Sequence, residues 1–144
     1  MGLFDRLFAR SPRYHVSAYG DLYSAIITRL QRPGVRVGGT AGYPRIEVHT
    51  ITEGERLDKD GALRQVSLTV ESMSKTGIGE CVRMNELNLM LLTENDLPLG
   101  EGWRCLGIVP AQLQDLTETS ETNVILYRLL QQFDIFVEQI KSNS

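Results

Sequence analysis

Histidine and cysteine are scarce in this chain of 144 residues, with two of each: His15 and His49, Cys81 and Cys105. A metal centre takes three or four nitrogen, sulfur or carboxylate ligands in close order, and neither pair supplies the start of one, so no metal is expected. The cysteines are far apart and form no Cys-x-x-Cys pair, which argues against a redox site. They are also too few for a disulfide framework, and both are expected as buried thiols in a reducing compartment. No apolar run reaches 18 residues, so no membrane-spanning segment is expected. Basic excess is absent too: the formal net charge is -3 and the pI about 5.4. Direct readout of nucleic acid is therefore disfavoured. Lysine occurs only at Lys59, Lys75 and Lys141, and the other cations are arginine, whose planar fork suits protein interfaces.

Motifs that carry catalysis or cofactor binding are missing as well. The connector from Val35 to Gly42 is rich in glycine, but it lacks the Gly-Lys-Ser/Thr ending of a phosphate loop and the G-x-G-x-x-G order. There is no G-x-S-x-G elbow. The carboxylates Glu53, Glu55, Asp58 and Asp60 lack the order of a calcium loop and are interleaved with Arg56 and Lys59. Neither a cofactor nor an enzymatic activity is expected. The first residues, Met1 to Phe8, have no apolar core of secretory-signal length, and Arg6 stands where a myristoylation pattern takes Ser or Thr.

What is present is the composition of a folded domain. Hydrophobic residues make up 42% and charged residues 23%. A chain of this length buries roughly 70% of its unfolded surface without staples. The pattern divides it into an N-terminal arm (1–16), one domain (17–140) and a polar tail (141–144). Ala18, Leu22, Ala25, Ile26 and Leu30 lie on one face of a helix from Ser17 to Gln31, with Ser17 as N-cap and Pro33-Gly34 as the stop. Arg45 to Thr50 alternates, with Ile46 and Val48 facing one way and Arg45, Glu47 and His49 the other. Val66, Leu68 and Val70 alternate with Gln65, Ser67, Thr69 and Glu71 in a strand from Leu63 to Ser72. The stretch between these strands, Thr52 to Gly61, is charged and reads as a long hairpin loop. Its residues Glu53, Glu55, Arg56, Asp58, Lys59 and Asp60 are the candidate protein-docking group, because such a tip has no way to bury itself without unpaired charge.

A second helix is predicted from Gly77 to Thr93, with Ile78, Cys81, Val82, Leu89 and Leu92 on its apolar stripe and Asn85 within it. Trp103 to Val109 reads as a strand stopped by Pro110, and Asp115 to Thr122 as a polar connection. Val124 to Gln139 fits either period. Leu126, Leu129, Leu130 and Phe133 suit a helix, while Phe133 to Glu138 alternates cleanly, and its aromatic and β-branched residues favour strand. The sum is an α+β fold, a mostly antiparallel sheet with its two main helices packed on one face. Val66, Leu68 and Val70 are expected to share one core with Ile26, Val82 and Leu89.

The helix around Leu22 to Ile27, the glycine-rich link, Tyr43 to Val48, the charged loop, Gln65 to Ser72, the covering helix and Phe133 to Val137 together resemble the tail-terminator and tail-completion proteins of long-tailed bacteriophages and prophages. The resemblance runs from about Asp21 to Ile140 and rests on patterns of strand and helix. It implies a structural protein without catalytic residues, assembling with itself as a hexameric ring that caps the tail tube and joins tail to head. Its partners would be the tail-tube and head-completion proteins. Its place would be the host cytoplasm during assembly, then the tail-neck region of the virion. Another phage neck, head-completion or baseplate-adaptor protein is the alternative, as is a small ligand-binding domain.

Overall fold

A computed structural model describes residues 22–39, 41–57, 63–94, 97–100 and 102–140, and for 50–56 the backbone alone. The predicted arm, the Ser17 cap and the polar tail lie outside the described residues. Helix α1 spans Leu22–Leu30. Its row Leu22, Ile26 and Leu30 is fully buried, as the four-residue spacing requires. Strand β1 (Arg36–Val37) runs parallel to β2 (Arg45–Arg56), which pairs antiparallel with β3 (Leu63–Ser74). Helix α2 (Ile78–Thr93) follows, then β4 (Trp103–Asp115), the short β5 (Glu118–Thr119) and β6 (Ile125–Gln139). The sheet order is β1-β2-β3-β6-β4, with β5 pairing β6. Both described helices pack on one face: α1 against β2, and α2 against β3, β6 and β4. The fold is α+β, as the sequence predicts.

The core lies between helices and sheet. Val66, Leu68 and Val70 of β3 sit beside Ile135, Phe133 and Gln131 of β6. Ile46 and Val48 of β2 flank them on one side, Cys105 and Ile108 of β4 on the other, and all of these are buried. The ambiguous segment is a strand throughout its length, and its odd-numbered residues from Leu129 to Val137 point into the core.

Three expectations are corrected. Strand β4 does not stop at Pro110 but continues to Asp115. It is the last strand of the sheet, so half of its amide groups have no ladder to serve and a proline fits. Register shifts between Cys105 and Gly107 and between Pro110 and Leu113 absorb the irregularity. The apolar stripe of α2 is rotated from the predicted one. Ile78 and Val82 are 38% and 42% exposed, while Met84, Asn85 and Asn88 are buried with Cys81 and Leu92. Asn88 is bonded at both ends, its Nδ2 donating to Ser72 Oγ at 3.1 Å and its Oδ1 accepting from Arg32 Nη2, whereas Asn85 Nδ2 donates to Gln131 Oε1 at 3.3 Å and its Oδ1 has no partner among the described residues. Leu89 packs against the core as expected. Finally, the charged segment is not all loop, because β2 runs on to Arg56, which pairs with Arg64.

The placement gives a contrast. Leu68→Ala is expected to lower stability by about 2–5 kcal/mol, the range for an emptied core site. Val82→Ala, at a position expected in the core but found outside it, is expected to change stability by no more than about 0.5 kcal/mol. Denaturant midpoints of the two variants check both.

Candidate protein-docking surfaces

One stretch of sequence is the candidate for contact with a partner, and the structure adds a second. Glu53, Glu55 and Arg56 belong to the β2 backbone, with Glu53 opposite Val66 in the ladder. Asp58, Lys59 and Asp60 lie outside the described residues. Just past the end of β2, Leu57 N–H donates to Leu63 O at 2.8 Å and extends the ladder by one bond.

The second stretch was hidden by the expected stop at Pro110. Beyond that proline, β4, β5 and the start of β6 form an arm in which every residue from 109 to 125 is exposed. Its backbone is laddered to the tip: Leu116 N–H donates to Arg128 O at 2.9 Å, and Ser120 N–H to Val124 O at 2.9 Å. Ser120 Oγ accepts from the Val124 amide at 3.1 Å, and Asn123 closes the turn at a φ of 62°. A short polar residue suits that left-handed position. Apolar side chains nevertheless point outward along the arm, with Val109 and Leu113 51% exposed and Val124 50%. Their spacing is visible in the sequence, but only to a reading that lets β4 pass through Pro110.

A charged chain of contacts ties the arm to the sheet. Glu71 lies on the face opposite the helices yet is only 1% exposed. One of its oxygens meets His49 Nε2 at 2.5 Å, and the other accepts from Arg128 Nε. Arg128 Nη1 then donates to Glu118 Oε2 of β5 at 3.2 Å. The chain His49–Glu71–Arg128–Glu118 thus crosses β2, β3, β6 and β5. Burial by itself pushes the Glu71 carboxyl up, but the hydrogen bonds and charges of Arg128 and His49 together outweigh it, and the group is held below its ordinary value. The same bond from Glu71 raises Arg128.

The sequence-predicted chemical residues are dispersed. His49 sits in that chain, and His15 lies outside the described residues. Cys81 and Cys105 are both free and buried. Burial, with the nearby Glu80 charge, raises the Cys81 thiol to about 11. Its Sγ donates to Tyr127 O at 3.3 Å. Among the described residues there is no group of three or more His, Cys, Asp and Glu placed to hold a metal, and no helix is long and apolar enough to cross a membrane. One open cleft, of about 330 Å³, lies at the β1 edge between Gly34, Val35, Arg36, Tyr43 and Pro44.

No protein-family model and no curated protein sequence matches the chain. In fold it is similar to a protein in the virion of a native gene transfer agent particle, with a TM-score of 0.66. The likeness covers 87% of this chain and 98% of that one at 17% identity.

Two outcomes are expected. Glu71→Gln should be less stable than the parent at pH 7 by about 1–3 kcal/mol, the range for a buried group stripped of its charged bonds. A carboxyl held low in the fold stabilises above its unfolded value and loses that contribution as pH falls through the folded one. The gap between variant and parent should therefore narrow below about pH 4 in pH-dependent urea unfolding. Cys81 should resist iodoacetamide at pH 8 in the native protein and react on unfolding, read by peptide mass spectrometry.

Proposed function

We propose that this chain is a structural component of a phage-type particle, and within that class a tail terminator that forms a ring on the end of the tail tube and joins it to the head. The supporting observation is the fold: nearly the whole of a gene transfer agent virion protein superposes on this chain. The arm supports a role in contact with other proteins. It is laddered and bonded to its tip, yet projects apolar side chains into solvent, which a chain working alone gains nothing by keeping. The proposal includes that the protein is not an enzyme and acts through its surfaces, with copies of itself, the tube protein and head-completion proteins as partners. Its place is then the tail-neck region of the particle.

The test is to add the purified protein to growing tail tubes. Tubes are expected to stop lengthening and to carry one closed ring of six subunits at the end, seen by native mass spectrometry and electron microscopy. Tubes that grow to the same length distribution with and without the protein, with no density at their ends, overturn the reading.

A further inference from the structure

The two outer edges of the sheet differ in charge and lie at one level. At one end is β1. Its first residue, Arg36, is exposed and makes no ion pair among the described residues, and Arg32 nearby donates to Leu30 O, Met84 O and Asn88 Oδ1, all neutral acceptors. Tyr43 of the adjoining cleft lies under both Arg45 and Lys75, each 4.8 Å from the ring centre. Arg45 is paired with Glu47 at 2.7 Å, but the balance of this edge is positive. At the other end is the arm. Asp115 and Glu121 are exposed and face no cation among the described residues, while Glu118 is shared with Arg128. Asp115 Oδ1 accepts from the Thr117 amide at 2.9 Å, which with the Thr117 hydroxyl lowers its carboxyl.

The ladder shows that these edges are level. Arg36 pairs with Arg45, Arg45 with Met73, and Met73 with Arg128. Leu129, the next residue of β6, pairs with Asp115. Pro44 and Tyr43 lie one and two residues beyond that row, in the direction in which Leu126 meets Glu118. A neighbour set beside the sheet at the same height therefore brings Asp115 level with Arg36, with the rest of the arm running along the side on which the cleft lies. Opposite charges meet, and an exposed valine meets a mostly polar cleft to which Val35, Tyr43 and Pro44 contribute the apolar part beside Gly34 and Arg36.

We propose that copies of this chain join edge to edge, the arm of one copy, with Asp115 at its base and Glu121 and Val124 at its tip, seating along the Arg36–Tyr43–Pro44 edge of the next. The inference rests on the ring reading and supplies its contact. The contact is heterologous, so it repeats around an axis, and one that needs no axial shift closes into a ring where a staggered one would give a filament. The charges set register and speed encounter, while the apolar tip supplies the buried area. A second copy is the occupant because both halves of the contact are on one chain and they complement each other in charge.

The experiment uses charge reversal in two variants of the full chain, Asp115→Lys/Glu121→Lys on the arm and Arg36→Glu on the edge. Thermal melts identify any variant that fails to fold; the arm variant changes only exposed side chains, with the loss of the Asp115–Thr117 bond, and should melt only slightly below the parent. Sedimentation velocity at low salt, up to about 1 mM protein, reads self-association. The parent is expected to associate, each variant alone to associate about tenfold or more weakly, and an equimolar mixture of the two to recover, because each then offers the charge that the other lacks. A parent that stays monomeric throughout, or variants that associate as the parent does, overturn the contact. These results separate from those of the tube experiment. A closed six-subunit ring indifferent to both reversals removes this contact and keeps the ring, while open chains abolished by reversal and rescued by mixing keep the contact and remove the ring.

Discussion

Every residue of β3, from Leu63 to Ser74, pairs with β6 without a register shift, and that ladder decides where the rest of the chain can go. Side chains on a strand alternate, so a slip of one residue against β6 would turn Val66, Leu68 and Val70 away from the core. The helix layer depends on the same pairing. Ser72 and Gln131, on the two strands of the ladder, receive Asn88 and Asn85, and those bonds set the rotation of α2 about its axis. Irregularity is kept to the flanks: β2 carries register shifts after Val48 and Glu53, and β4 carries two more, while the central pair has none.

The central pair was also what the sequence made legible. Alternation over Leu63 to Ser72 and over Phe133 to Glu138 is unmistakable because one face of each strand is buried and the other is not. The α1 row was legible for the same reason. The stripe of α2 was not, since a count of apolar residues ranks Val82 above Asn88. The decisive fact is that Asn88 has partners, Ser72 on β3 and Arg32 beyond α1, and partners distant in sequence leave no local pattern. The candidate docking group was half legible. It was read as loop throughout, but Glu53, Glu55 and Arg56 belong to the β2 backbone, because ladder pairing with β3 is made by backbone groups and leaves no apolar pattern to read.

The chain His49–Glu71–Arg128–Glu118 shows how a buried carboxylate acquires a structural use. Glu71 is placed on the face away from the core by its odd position in β3, yet its neighbours close over it. An unpaired carboxylate there would be costly, and Arg128 on the adjacent strand meets it directly. Arg128 has reach to spare and passes the contact to Glu118. The base of the arm is thereby held to the sheet by side chains as well as by the β6 ladder. A projecting hairpin fixed at its base in this way carries its tip at a defined position, which a docking element requires and a solvent loop does not.

An open sheet carries a standing hazard, since any bare edge strand is a template for another. This fold does not remove its edges. It makes them specific. Along β4 the proline and the two register shifts interrupt the regular row of donors and acceptors that indiscriminate pairing needs. What the arm presents instead is side chains: carboxylates at Asp115 and Glu121 with Val124 between glutamate and strand. At the far edge β1 is only two residues long, too short to template a strand, and one of the two is the exposed Arg36. Backbone recognition is weakened at both edges and side-chain recognition takes its place, so the features that disguised β4 as a short strand in the sequence are the ones that suit it to be a selective edge.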